Sequence, residues 1–220
     1  MMERTWGYAS QVGQWSGLVD IPTELLEQSL AATDNVLERF IPVLAEIHRP
    51  TTAQVTWVEY DKEDQEVVCY ELEEVAIADW KALRRHLQGL AAGTVHRVEL
   101  HDLFIELDTA VITPYRDSWA EKSATFQISI SRPFLRPLSV AASYTTYIDV
   151  WLSTTYGEHY KLRSNREAAR LNKPRLEAFL RRFAELTGES FRTDLSQLYY
   201  FAITPTGFRD VNDLPPVGAP

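Results

Sequence analysis

The sequence predicts an α+β protein: an antiparallel or mixed β-sheet with helices packed mainly on one face. Three observations carry this. Several segments alternate apolar and polar residues with the period of a half-buried strand. Other segments repeat apolar residues at helical spacing. The order is helix, two strands, helix, strands, and then strands, helix, strand, which suits a sheet with helices laid over it. Each half reads as hairpin, helix, strand, the order of two ββαβ-like halves, although no residue-level repeat accompanies it.

Residues 1–19, with Trp6, Tyr8 and Trp15, read as an extended N-terminal arm that lays its aromatics on the body. A helix start follows at Asp20-Ile21-Pro22-Thr23, where Asp20 or Thr23 can cap and proline is tolerated in a first turn. Leu26, Leu30, Val36, Leu37, Phe40, Ile41, Leu44 and Ile47 keep helical spacing; Pro42 is expected to kink the helix or end it early, and Arg49-Pro50 to close it. Gln54 to Tyr60 and Val67 to Ile77 read as two strands of a hairpin around the acidic turn Asp61 to Gln65. Asp79 caps a helix striped by Trp80, Leu83, Leu87 and Leu90 and ended by Gly93. Val95 to Leu107 is a strand with a slip of phase. Val98 and Leu100 share one parity, whereas Leu103, Ile105 and Leu107 share the other. A β-bulge or tight turn near His101-Asp102 would restore one apolar face. Ala124, Phe126, Ile128 and Ile130 alternate with polar residues in a half-exposed strand, and Arg132-Pro133 and Arg136-Pro137 break the chain.

The stretch Val140 to Leu186 organises the rest. Alternation from Val140 to Leu152 puts Ile148, Val150 and Leu152 on one face and Tyr147, Asp149 and Trp151 on the other. A bend at Tyr156 to Tyr160 leads to Ser164-Asn165-Arg166-Glu167, the spacing of a capping box. Pro174 lacks an N–H and Asn172 is a good cap, so the reading is a short helix near 165–171 and a fresh start near 173. Leu176, Phe179, Leu180, Phe183 and Leu186 form its apolar stripe, and Gly188 stands at the left-handed C-terminal cap. Leu198 to Ile203 is apolar on both parities and reads as a central strand. Residues 1–203 are thus expected to form one globular domain, and 204–220 a Pro-rich tail.

The chain has 220 residues, 45% hydrophobic and 24% charged, the composition of an ordinary soluble domain able to bury a sizeable core. No apolar run approaches the roughly 18–20 residues of a membrane span. Met1 to Trp15 lacks the order of a secretory signal, and Cys69 stands alone, so a reducing, cytoplasmic setting is expected. The net charge of −9 argues against nucleic acid and anionic membrane as partners. Residues 1–110 carry 8 basic and 20 acidic side chains, and residues 111–220 carry 14 and 11.

No glycine-rich phosphate loop, nucleophile elbow or zinc motif is present, and no cofactor or metal is expected. His96, Glu99, His101, Asp102, Glu106 and Asp108 are the densest ligand-type group, but on a regular strand they do not converge and read as a wet face. Arg132 and Arg136 read as exposed loop residues. Cys69, in an apolar strand, reads as core.

Two candidate surfaces remain. One is an acidic docking surface of Glu63, Asp64, Glu66, Glu71, Glu73 and Glu74, set against the basic run Lys161 to Arg182. It leads to the first expectation, a soluble, cytoplasmic, non-catalytic protein-binding module whose partner is a protein. An immunity- or antitoxin-like inhibitor is the analogy. The other is a pocket of Tyr147, Asp149, Trp151, Tyr156, His159 and Arg163 in a small-molecule enzyme or ligand binder, with His159 beside Asp149 as a general base. The plainer readings are solvated charged faces for the first, and covered aromatics with a paired Asp149 for the second. A third expectation is a homo-oligomer in which the acidic front of one copy meets the basic rear of the next.

Overall fold

The computed structural model describes residues 8–25, 28–60, 66–93, 97–113, 117–131, 138–156, 162–193 and 201–210. Its strands are β1 (Tyr8–Val19), β2 (His48–Tyr60), β3 (Glu66–Ala76), β4 (Arg97–Ile112), β5 (Asp117–Ser131) and β6 (Ser139–Ile148), followed by the short β7 (Thr154–Tyr156), β8 (Leu162–Ser164), β9 (Arg192–Thr193), β10 (Phe201–Thr204) and β11 (Gly207–Asp210). The helices are α1 (Ser29–Leu44), α2 (Trp80–Gly93) and α3 (Arg166–Thr187). Seven strands form one antiparallel sheet in the order β3-β2-β4-β5-β6-β1-β9. The class is α+β, with the helices against the sheet.

Alternation decides what the helices cover. Val55, Leu103, Ile105, Phe126, Ile128 and Tyr144 are buried on the inner face, under Val36, Leu37 and Phe40 of α1 and Leu176, Phe179 and Phe183 of α3. Phe40 sits 5.3 Å from Phe126 and 5.2 Å from Phe183, ring centre to ring centre. The phase slip in β4 is a bulge at the expected place: Thr56 pairs with Asp102 and Trp57 with Leu100, leaving His101 as the extra residue. Leu100 thereby joins Leu103, Ile105 and Leu107 in the core. The Ala82 N–H donates to Asp79 Oδ1 at 2.7 Å, the cap expected for α2. Asp79→Ala should cost about 1 kcal/mol in urea denaturation; an unchanged midpoint would show that the cap contributes nothing.

Several elements differ from the sequence reading. The supposed arm is β1, a strand between β6 and β9 with Trp15 wholly buried. Its approach to the end of α3 requires glycine: a Cβ on Gly17 would stand 2.6 Å from Thr187 Cβ. Asp20 to Thr23 leads only to a 3-10 turn, Thr23–Leu25, and α1 starts at Ser29. It runs through the exposed Pro42, and Arg49 and Pro50 already belong to β2.

Helix α3 is not broken at Pro174. The stripe Ala168, Asn172, Leu176, Phe179 and Phe183 continues across it, with Pro174 on the wet side. Asn172 does not cap. Its Oδ1 accepts the Ile112 N–H at 2.9 Å and its Nδ2 donates to the Ile112 carbonyl at 2.8 Å. Arg175 adds a bond from Nη1 to the Ala110 carbonyl at 2.7 Å. These contacts to β4 offset the bond that proline removes. Ser164 lies in β8 rather than in a capping box; Asn165 precedes the helix, and its amide reaches the Asp149 carbonyl at 3.2 Å.

After α3 the second half does not repeat the first. β9 joins the sheet beside β1, and β10 pairs with β11 outside it instead of forming a central strand. Thr204, placed at the start of the tail, accepts the Trp15 indole N–H at 2.8 Å, and Phe208 packs edge-on against that ring. No helix among the described residues is long and apolar enough to cross a membrane.

Candidate functional site

The pocket residues are distributed by the end of β6. The strand stops at Ile148, and the Leu152 N–H bonds the Asp149 carbonyl at 2.9 Å, which turns the chain. Alternation therefore ends before it can align Tyr147, Asp149 and Trp151. Trp151 is wholly buried on the helix-covered side, its indole donating to Thr146 Oγ1 at 3.0 Å. Tyr147 lies on the opposite, outer face, 3.3 Å from the Thr125 hydroxyl. Tyr156 pairs with Leu162 and Arg163 with Thr155 in the β7–β8 hairpin. His159 lies outside the described residues.

Four of the six acidic residues lie on the sheet edge. Glu66, Glu71, Glu73 and Glu74 belong to β3, the outermost strand, which pairs only with β2 among the described residues. Glu74 is exposed and acts on Lys122, whose pKa is raised first by the Glu106 carboxylate and further by Glu74. Glu63 and Asp64 lie outside the described residues. Of the basic run, Arg166, Arg170 and Arg181 are exposed on α3, whereas Arg175 holds Ala110 and Arg182 pairs with Glu46. The face of the sheet away from the helices carries Thr52, Gln54 and Thr56 of β2, Asp102, Phe104 and Glu106 of β4, and Gln127 and Ser129 of β5, all half-buried.

On that face the register assembles a polar network that the sequence did not reveal. Arg49 pairs with Asp108 across β2 and β4, and its Nε and Nη2 donate to Asp108 Oδ2 at 3.0 and 2.8 Å. Asp108 Oδ1 accepts the Lys122 N–H at 2.9 Å, at a bulge in β5 where Lys122 takes the left-handed φ of 45°. Burial alone would raise the pKa of Glu106; the Thr52 hydroxyl at 2.6 Å and the Lys122 ammonium at 2.9 Å outweigh it and hold the carboxyl low. The Arg49 guanidinium lies 4.5 Å over the ring of Trp119, which is 43% exposed. Asp102 accepts from Ser129 Oγ at 2.7 Å and Gln127 Nε2 at 3.1 Å. Asp102, Glu106 and Asp108 belong to the group read as a wet face, yet Asp108 is buried and the other two half-buried; their partners come from β2 and β5, and no spacing along the chain could signal those. Among the described residues no three His, Cys, Asp or Glu side chains are grouped to hold a metal.

Beneath this network, on the inner face, His48 is buried between Tyr144 (5.2 Å) and Phe179 (5.6 Å). Its Nδ1 lies 3.2 Å from Thr109 Oγ1, which lies 2.6 Å from Ser123 Oγ, itself 2.8 Å from the Ala120 carbonyl. The Ser123 hydroxyl donates to Thr109 Oγ1, and the His48 Nδ1–H faces both Thr109 Oγ1 and the Asp108 main chain. His48 Nε2 is then a bare acceptor without a partner. Desolvation lowers the His48 pKa to about 3, against the raising effect of a bond to the Asp108 main chain. A serine, a threonine and a histidine in a row suggest nucleophile chemistry, but every member is buried and no substrate could reach them. Compared with known proteins, the chain matches no family model, no curated protein and no solved structure.

Proposed function

We propose that this chain is a non-catalytic protein-binding module that docks a basic partner along its acidic sheet edge. The observation that carries the reading is the position of β3: an outermost strand of 11 residues that holds Glu66, Glu71, Glu73 and Glu74. An edge strand offers main-chain donors and acceptors to an extended segment, and acidic side chains choose a basic one. The same charges oppose pairing of two β3 edges with each other, since like charges face across such a contact. An inhibitor that covers a basic surface needs this and no chemistry. A cytoplasmic setting accords with the lone Cys69.

Changing Glu63, Asp64, Glu73 and Glu74 to Lys should slow association by about 10- to 1,000-fold while leaving the circular dichroism spectrum unchanged. Native mass spectrometry of protein purified gently from its own host identifies the partner. It should be a basic polypeptide, lost from the variant and at about 1 M salt, where screening leaves a Debye length of roughly 3 Å. Co-purification untouched by charge reversal would overturn the reading. A reproducible small adduct in its place would favour a ligand binder.

A further inference from the structure

One short segment of β4 serves two purposes. Thr109 anchors the His48 imidazole, while Ala110 and Ile112 hold α3 through Arg175 and Asn172. His48 also touches α3 directly, through Phe179. Whatever displaces the imidazole therefore disturbs the seat of the helix. We propose that the junction of α3 with β4 is an acid-labile latch, closed by the neutral imidazole of His48 and opened when that ring takes a second proton.

On balance the surroundings disfavour the charged ring: burial and Arg175 act against it, and the bond to the Asp108 main chain acts the other way. β4 presents the Thr109 hydroxyl and the main chain of Asp108, whose carboxylate is turned to the outer face and held by Arg49 and Lys122. β5 presents Ser123, already engaged with Thr109. β6 presents Tyr144, kept neutral because burial raises its pKa. From α3 come the Phe179 ring and Arg175, a like charge that acts against protonation and is itself balanced in part by Asp117. A second N–H, on Nε2, has no acceptor there. The opened state takes the proton near the ordinary 6.5, whereas the closed state resists it down to about 3. Between those values opening binds a proton, so closure is complete above the upper one and weakens as the pH falls.

Native-state hydrogen exchange of the full chain from pH 7 to 4, corrected for intrinsic rates, tests this. Opening of the α3 amides should rise up to about 10-fold per pH unit below roughly 6.5, the slope of one bound proton. The β4–β5 amides around Leu103 to Leu107 should keep their protection over the same range. In His48→Gln the rise at α3 should disappear. An α3 response that is flat with pH, or equal in the variant, overturns the latch. So does a rise shared by α3 and the β4–β5 core, which would mean global unfolding. Should His48→Gln fail to fold, the imidazole resonances of the unaltered chain decide. They should stay in the neutral Nδ1–H form until α3 opens, and titration near 6.5 with α3 still closed would overturn the proposal.

Discussion

Trp15→Ala should lower the unfolding free energy by about 3–5 kcal/mol, the range for removing a large buried ring. Trp15 is wholly buried, stacks on Tyr144 at 6.0 Å, and meets Phe208 edge-on at 5.4 Å. Its indole N–H is the bond that ties Thr204, and with it the β10–β11 hairpin, to the sheet. The substitution therefore opens a cavity and releases a tether together. Trp15→Phe keeps much of the ring area and should recover a large part of the loss, but not the bond to Thr204. Urea denaturation of the three proteins measures this. A loss below about 1 kcal/mol for Trp15→Ala would mean that residues 8–19 are only draped on the body, as the sequence suggests.

Asn172→Ala should cost a comparable amount, about 3–5 kcal/mol. The N–H and the carbonyl of the half-buried Ile112 would both lose their partner, at up to about 1–3 kcal/mol each, and the wholly buried Asn172 side chain would leave a cavity. Asn172→Asp keeps the size and the acceptor but loses the donor to Ile112 and Ala168, and should also be strongly destabilised. The damage should concentrate on the first half of α3, because Pro174 already lacks one helix bond and the clamp holds the helix together across it. Amides of residues 166–172 should then exchange faster than those of 176–187. Equal exchange in both halves, with unchanged stability, would show that the Asn172 clamp does not hold the helix across Pro174.

These residues also mark where the sequence misleads. Asn172 two positions before Pro174 is a sound capping signal, because local chemistry favours a helix start there. The clamp to Ile112, 60 positions away, outweighs that preference. Val150 to Leu152 continue the alternation of β6, yet a main-chain turn at Asp149 folds Trp151 into the core and separates it from Tyr147. The pocket reading rested on that alternation running unbroken. By contrast, the bulge at His101 was legible, since Leu100 and Leu103 could both reach the core only with one residue added. The acidic run was legible as composition; that Glu66, Glu71, Glu73 and Glu74 lie on the outermost strand among the described residues was not.

By itself the sequence determined the α+β class, the hairpin of β2 and β3, the capped α2, the β4 bulge and the apolar stripe of α3. Each is written in periods and caps that act over a few residues. Only the tertiary structure decided that Tyr8–Val19 enters the sheet, that α3 passes Pro174, and that Arg49, Asp108, Lys122 and Glu106 meet on one face and His48, Thr109 and Ser123 on the other. The physical reason is register. Strand pairing joins residues from 14 to 61 positions apart in the Asp108–Lys122 and His48–Thr109 contacts, and the chemistry of such contacts leaves no local pattern to read.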